Sequence, residues 1–386
     1  YKISNNLLIK IDTKKSYTIG ILKSEDDHQV VIKEMIELCT NDYTIKYFTT
    51  QNSILEALNN NNIQFSIVYD DELIDGTLGL NSYKNKLENI QFITGLFYNH
   101  YYFMTNIFYK TKNRTQKIDS VEDIANFYSV NNRNIIIGTE LSNSVSHMNL
   151  IRILHINGLK PININTINTL DNSKRNNRNI VYYYTSTFED ISCKFMNNVL
   201  DALFVVKMNE NNTIKHIIDN KDILFLDINF NNTIFNDLFS QYYYNKTITI
   251  SGVETSFDTQ YIIKTTSMRT VLATNSYTPD DPIKELITCY YTHNNMIINK
   301  LMGSDTHDTH DTHDTHDTHG LFKPIDMFYM NGYIPINDTA IQYYKTLGFI
   351  INPDFKKMLE NKKIIEKQHL KKYWKYDKIG LQTFKI

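Results

Sequence analysis

The feature that most constrains the fold is an alternation of short apolar runs with amphipathic stretches, which starts at Tyr17. Three apolar runs of strand length are each followed by a segment with helical spacing: 18–22 by 30–38, 45–49 by 53–60, and 65–69 by a weaker segment after Asp71. Such alternation is typical of βα units built around mostly parallel sheets. The sequence therefore predicts an α/β fold class.

A second series of the same kind follows residues 90–109, an aromatic stretch that predicts a pair of strands leading out of the first lobe. The series opens with a helix-start signature at 119–123. We predict its strands at 134–139, 181–184, 202–206 and 223–228, and its helices at 145–157, 188–200, 213–219 and 234–243. Gly158 follows one of these helices, where a left-handed cap is expected.

The chain then returns through two β segments, 247–253 and 260–274, and a helix at 282–298. A chain of 386 residues exceeds the size at which a single hydrophobic core usually stops growing. We therefore predict two lobes, a discontinuous lobe 1 at 17–110 and about 247–350, and a lobe 2 at 111–246.

Composition and motifs exclude several classes of protein. The net charge of -2 gives no general attraction to nucleic acid, so nucleic acid is not an expected partner. The three cysteines, Cys39, Cys193 and Cys289, are odd in number and far apart, and no disulfide framework is expected. No apolar run is long enough to span a membrane, and no G-x-S-x-G, H-E-x-x-H or phosphate loop occurs. We expect no enzyme activity and no cofactor.

Several strings, taken together, resemble the TAXI family, the solute receptors of tripartite transporters. They span roughly residues 17–350 and lie at 119–124, 137–158, 201–206, 211–214 and 335–348. The resemblance implies a two-lobed, type II periplasmic-binding-protein-like fold with a ligand cleft between the lobes. The sequence departs from the family at 22–26 and 49–51, where family members carry glycine-rich loops.

The resemblance implies a solute-binding protein that holds a small polar or anionic ligand, such as an amino acid or a dicarboxylate. The alternative is a ligand-free interaction or structural protein that reuses the fold, and an enzyme on this fold is a minor third option. If the family role is kept, the protein is extracytoplasmic or membrane-associated. The chain begins with Tyr1 rather than Met, so an upstream signal peptide or anchor stays open.

Candidate ligand-binding residues come from the segments that follow the predicted strands. In open α/β sheets, ligands lie at the carboxyl ends of the strands, where helix N-termini present unpaired N–H groups. The candidates at these positions are Thr50, Gln51, Ser53, Tyr69 and Asp70 in lobe 1, and Ser142, Asn143, Ser144 and Lys207 in lobe 2. Their alternative role is ordinary helix capping.

Charge distinguishes some of these candidates. Lys207 follows a buried strand, so its ammonium group either pairs with a ligand carboxylate or is solvated. Asp70 and Asp71 would repel an anion, so they either favour a ligand with an amine or cap the next helix.

Two segments stand outside the lobes. The loop at 303–320 contains five Asp-Thr-His repeats, whose His307, His310 and His313 are the metal candidates; we favour repeat expansion over a metal site. The basic extension at 353–386 is a candidate contact for a membrane or a protein partner, and a helix packed on the lobes is the favoured alternative. The sequence does not predict the oligomeric state.

Overall fold

The computed structural model describes residues 2–4, 7–9, 16–23, 26–79, 83–106, 120–124, 134–142, 144–166, 180–208, 212–228, 244–251, 260–301 and 334–348. The helix predicted at 234–243, the repeat loop and the basic extension lie outside these residues.

The described strands follow in chain order. They are β1 (Lys2–Ser4), β2 (Leu7–Ile9), β3 (Ser16–Leu22), β4 (Asp42–Phe48), β5 (Phe65–Tyr69), β6 (Ile90–Asn106), β7 (Ile136–Thr139), β8 (Lys160–Asn163), β9 (Ile180–Thr185), β10 (Ala202–Met208), β11 (Ile223–Phe225), β12 (Tyr244–Ser251) and β13 (Gln260–Asn275).

The described α-helices alternate with these strands through most of the chain. They are α1 (Asp26–Glu37), α2 (Gln51–Asn59), α3 (Asp70–Leu78), α4 (Val145–Ile156), α5 (Phe188–Met196), α6 (Asn212–Asn220), α7 (Asp280–Leu301) and α8 (Asp338–Thr346). Short 3₁₀ turns occupy Val121–Asp123 and Ile164–Thr166. The predicted α/β class is confirmed.

Contacts divide the chain into two compact units. The first contains the described residues of 1–96, 270–308 and 324–364, and the second contains those of 97–269. The chain passes from one unit to the other inside β6 and inside β13. The predicted lobe boundaries near 110 and 247 differ from these crossing points and stay a prediction.

In the first unit, β3 lies between β4 and β5 and pairs with both in parallel. The end of β13 pairs antiparallel with β5 on its other side. Helix α2 packs on β3 and β5, while α1 packs on β3 and on α7. Fully buried side chains from β3, α2 and β5 form the core, among them Ile19, Ile54 and Ile67. The βα alternation from Tyr17 therefore places apolar faces of strands and helices against each other.

In the second unit, the strand order is β6-β10-β7-β9-β8. β10 is antiparallel to β6, whereas the neighbours β10, β7, β9 and β8 pair in parallel. Helices α5 and α6 cover the sheet through a buried cluster that includes Ile191, Phe195, Leu203 and Ile217. Since parallel strands share a direction, the carboxyl ends of β7, β9 and β10 meet at one edge of the sheet.

One secondary-structure prediction is wrong, because two predicted strands are one. Residues 90–109 are predicted as a pair of strands, but 90–106 form the single long strand β6. The polar residues inside it find partners within the sheet: His100 Nδ1 lies 2.6 Å from Ser267 Oγ, and the whole β10 register pairs along Asn99–Thr105. The polar residues Asn99 and His100 are therefore accommodated within a continuous strand.

Two helices end near a residue with a left-handed backbone conformation. Gly158 has a φ of 70°, so the predicted left-handed cap after α4 is confirmed. The helix predicted at 188–200 ends earlier, at Met196, because Asn198 adopts a left-handed φ of 59°. Asn tolerates this conformation better than most residues, and the helix cannot continue through it.

Candidate functional site

The strand ends of the second unit bring an ion pair to the edge where β7 and β10 finish. Glu140 directly follows β7, and Lys207 lies next to the end of β10. Lys207 Nζ is 2.7 Å from Glu140 Oε1, and the two side chains are only 15% and 16% exposed. The ammonium group also lies 5.1 Å from the centroid of the Phe188 ring. A pair this sheltered from water is screened less than a surface salt bridge.

A buried hydroxyl group holds Glu140 in position. Ser146, in the first turn of α4, donates a hydrogen bond to Glu140 Oε2 and accepts one of 2.9 Å from the backbone N–H of Val206. Ser146 therefore ties α4 to β10 and fixes the carboxylate that faces Lys207. The charges of Glu140 and Lys207 offset each other within this cluster.

The start of α4 presents further hydroxyl groups at the same edge. Ser144 caps the helix by accepting a hydrogen bond of 3.1 Å from His147 N. Ser142 is exposed, and its Oγ has a long contact of 3.5 Å with Thr185 Oγ1 at the end of β9. Asn165 Nδ2 donates a bond of 2.8 Å to the Thr185 carbonyl oxygen. Asn143, between the two serines, lies outside the described residues.

Thr139, the last residue of β7, is fully buried. Within the described part of the chain, its hydroxyl group has no hydrogen-bond partner. Buried polar atoms are normally satisfied, so an unpaired hydroxyl deep at a strand end is unusual.

His147 lies in the first turn of α4. Its Nε2 is 3.4 Å from the hydroxyl oxygen of Tyr183, and burial lowers the pKa of the imidazole below its ordinary value. Burial also raises the pKa of the Tyr183 phenol. Both groups are therefore neutral near pH 7, and His147 adds no positive charge to the cluster.

In the first unit, two candidates at the start of α2, Thr50 and Ser53, form hydrogen bonds with each other. Thr50 Oγ1 accepts a bond of 3.2 Å from Ser53 N, and Ser53 Oγ donates one of 2.7 Å to the Thr50 carbonyl oxygen. These contacts fit the capping role that the sequence analysis holds open. Gln51 is buried, and its Oε1 accepts a bond of 3.1 Å from Tyr69 N, while its Nε2 has no partner among the described residues.

The candidates at the end of β5 are buried. Tyr69 is 2% exposed, and its ring centroid lies 5.1 Å from that of His28. Asp70 and Asp71 start α3 and are 2% and 3% exposed, and Asp71 Oδ1 accepts a bond of 2.8 Å from Glu72 N. Acidic side chains in a first turn interact favourably with the helix dipole. This arrangement fits the helix-start alternative for the two aspartates.

No family model matches the chain, and no curated protein matches its sequence. Solved structures are similar to it at low identity. The amino acid ABC transporter substrate-binding protein of Streptococcus pneumoniae, bound to L-arginine, is 8% identical with a TM-score of 0.39, over 76% of this chain and 95% of that one. The periplasmic aliphatic sulphonate binding protein of Escherichia coli is 13% identical with a TM-score of 0.38, over 75% of this chain and 74% of that one.

A third similar structure is the binding protein component of an ABC phosphonate transporter from Pseudomonas aeruginosa. It is 10% identical with a TM-score of 0.40, over 75% of this chain and 79% of that one. All three are binding proteins, and the first and third belong to ABC transporters.

The candidates thus fall into two groups. Ser142, Ser144 and Lys207 come together at the strand ends of the second unit, and Thr50, Gln51, Ser53, Tyr69 and Asp70 lie at strand ends of the first. Sequence reasoning missed Glu140, Ser146 and Thr185. Glu140 could have been found, since it directly follows a predicted strand, whereas the Ser146 contact with Val206 depends on tertiary packing.

Neither a metal site nor a membrane span is found in the described part of the chain. There, no group of three His, Cys, Asp or Glu side chains is arranged to hold an ion. The helices described are too short or too polar to cross a bilayer. His307, His310 and His313 lie outside the described residues.

Proposed function

We propose that this chain is a solute-binding protein that holds a small polar ligand at the strand ends of its second unit. The observation that carries the proposal is the convergence of polar groups from β7, β9, β10 and the start of α4 on one sheet edge. The carboxyl edge of parallel strands is where open α/β sheets bind ligands. The helix start adds backbone N–H groups that favour an anionic or carbonyl oxygen.

The charges in this cluster refine the ligand class. Glu140 neutralises Lys207, and His147 is neutral, so no uncompensated positive charge is supplied by these three residues. A ligand with one ammonium and one carboxylate group could contact Glu140 and Lys207 together, and a dicarboxylate would have to displace Glu140. We therefore place an amino acid ahead of a dicarboxylate.

We further propose that the chain is a receptor of the TAXI family. Support for TAXI membership comes from the strings at 137–158 and 335–348, and it would make the protein an extracytoplasmic receptor. The expected contribution of the first unit, a ligand held between the two lobes, and a membrane or protein contact through 353–386 stay predictions. No enzymatic step is part of the proposal.

A second candidate function, an interaction or structural role without a ligand, is supported by a different observation. Lys207 is paired with Glu140, and Thr50 is paired with Ser53, so several candidate groups are already satisfied by the protein itself. This pattern favours an interaction or structural protein that keeps the fold without a ligand.

Ser142 gives the sharpest test, because its exposed hydroxyl group makes one long contact within the described residues and does not cap α4. We expect calorimetry against amino acids and dicarboxylates to find a ligand, and Ser142→Ala to weaken its affinity about tenfold through one lost hydrogen bond. The melting temperature of the unliganded protein should not change.

The matched control is Ser276→Ala, which removes an exposed serine hydroxyl in the first unit. It should leave the affinity unchanged. Binding of no compound from a broad panel would refute the proposal and favour the second candidate. Equal ligand affinities of Ser142→Ala and the wild type would show that the start of α4 is not part of the binding site.

A further inference from the structure

Two cysteines that are 250 residues apart in the chain meet in the first unit. Cys39 lies two residues after the end of α1, and Cys289 lies in the middle of α7. Their Sγ atoms are 3.3 Å apart, with Cys39 as the donor of an S–H contact. Both side chains are half-buried.

Backbone contacts hold both sulfur atoms in place. Cys39 Sγ is 3.2 Å from the Met35 carbonyl oxygen, and Cys289 Sγ is 3.7 Å from the Leu38 carbonyl oxygen. Cys289 Sγ therefore lies next to the residue that directly precedes Cys39, just after the end of α1.

A carboxylate one turn earlier on α7 fixes the same segment independently. Residues four apart lie on one helix face, so Glu285 and Cys289 face the same side of α7. Glu285 accepts hydrogen bonds from Thr40 and Asn41, the two residues that follow Cys39. Helices α1 and α7 also pack against each other. Both the approach and the alignment of the two cysteines are thus set by the fold.

We propose that Cys39 and Cys289 form a reversible disulfide that links α1 to α7. A disulfide has an S–S length of about 2.05 Å, so the sulfur atoms must approach by roughly 1.3 Å from their present 3.3 Å. The inference is independent of the proposed ligand.

The oxidant would be a small-molecule disulfide, such as glutathione disulfide. The Cys289 thiol loses its proton to solvent, and its thiolate attacks one glutathione sulfur, so that a mixed disulfide forms and one glutathione thiolate leaves. Cys39 then loses its proton, attacks the Cys289 sulfur and releases the second glutathione thiolate. Two electrons pass from the protein thiols to glutathione disulfide, and two glutathione molecules result.

The contact between the thiols favours these roles. The S–H group of Cys39 is within donor distance of both the Met35 carbonyl oxygen and Cys289 Sγ, and donation to Cys289 stabilises a Cys289 thiolate as the nucleophile. Burial raises the pKa of Cys39, and burial also raises that of Cys289 against the lowering effect of the Cys39 contact. The reaction should therefore be slow at neutral pH and faster in mildly alkaline buffer.

The test uses the folded, full-length chain treated with glutathione disulfide and digested without reduction. Mass spectrometry should find the Cys39 peptide linked to the Cys289 peptide, with the loss of two hydrogen atoms. The exposed Cys193 should carry glutathione instead, which proves that the reagent is active. The melting temperature should rise by roughly 5 °C on oxidation and fall back on reduction, since a crosslink restricts the unfolded chain.

Cys39→Ser is the matched variant, and it should leave Cys289 as a stable mixed disulfide with no rise in melting temperature. Comparing the oxidised and reduced wild-type protein keeps the test valid if that variant folds poorly. Glutathione on Cys193 with free thiols at Cys39 and Cys289, or a persistent mixed disulfide in the wild type, would overturn the proposal.

Discussion

At the scale of single residues, the net charge at the strand ends of the second unit depends on the ion pair that Lys207 forms. The sequence analysis leaves Lys207 either solvated or available to a ligand carboxylate, and the structure places Glu140 beside it at 2.7 Å. Ser146 then holds the carboxylate from the other side. The charge at this edge therefore depends on Glu140, which was not among the predicted site residues.

Replacing Glu140 with Gln tests this dependence. Glu140→Gln removes the negative charge that faces Lys207 and would repel a second ligand carboxylate, so we expect the affinity for dicarboxylates to rise about tenfold. Binding of a ligand with an ammonium group should weaken instead. Isothermal titration with glutarate and glutamine, compared with the wild-type protein, separates the two effects.

Stability supplies the control for the same variant. Gln keeps a carbonyl oxygen for Ser146, so unfolding in urea should show a loss of only about 1–2 kcal/mol. Unchanged affinities for both ligands, in a protein that unfolds normally, would show that Glu140 and Lys207 do not contact a ligand.

At the scale of elements, Glu285 joins α7 to the turn between α1 and β4. Thr40, Asn41 and Tyr43 all donate hydrogen bonds to its carboxylate, the last over 2.8 Å. Burial acts to raise the pKa of Glu285, but the bonds from Thr40, Asn41 and Tyr43 outweigh it and lower the pKa from 4.5 to about 2. For Tyr43, burial and the bond to Glu285 raise the phenol pKa.

This contact predicts a dependence of stability on pH. Because the folded-state pKa of Glu285 is depressed, its contribution is fully present above pH 4.5 and is lost as the pH falls towards about 2. Glu285→Gln should therefore lower the free energy of unfolding by about 1–2 kcal/mol at neutral pH, since the carboxylate is partly exposed and screened. The difference from the wild type should shrink as the pH falls to about 2.

Urea unfolding monitored by circular dichroism across this pH range gives the measurement. Glu56→Gln is the control, since Glu56 is exposed on α2. It should behave as the wild type does at every pH. A Glu285→Gln deficit that stays constant with pH would contradict the charge-based explanation.

The elements also show how far periodicity predicts structure. Helix α4 and strand β5 begin and end close to their predicted bounds, because apolar spacing and caps are local signals. Strand β6 is continuous where the sequence predicts a pair of strands, and its polar His100 contacts Ser267, which lies 167 residues away in the chain. A polar residue inside a strand is acceptable only if the neighbouring strand satisfies it, and that neighbour is not visible locally.

At the scale of the whole molecule, the two compact units each have a buried core of their own. Ile67 lies in the core of the first unit and Leu203 in that of the second, and both are fully buried. Proteins with more than one core often unfold in more than one step. We therefore expect two transitions in differential scanning calorimetry.

Variants in the two cores should identify these transitions. Leu203→Ala and Ile67→Ala should each cost about 2–5 kcal/mol, because each leaves a cavity in a packed core. Each variant should lower the temperature of a different transition and leave the other nearly unchanged. A single transition that both variants lower equally would mean that the units unfold together.

The sequence by itself determined the α/β class, most of the βα order and the helix ends at which a capping residue or a glycine acts locally. It did so because side-chain periodicity and backbone preference involve neighbours within a few residues. Only the tertiary structure decided which distant side chains meet, such as Glu140 with Lys207 and Cys39 with Cys289. Those contacts depend on strand order and helix packing, which bring together residues that no local pattern connects.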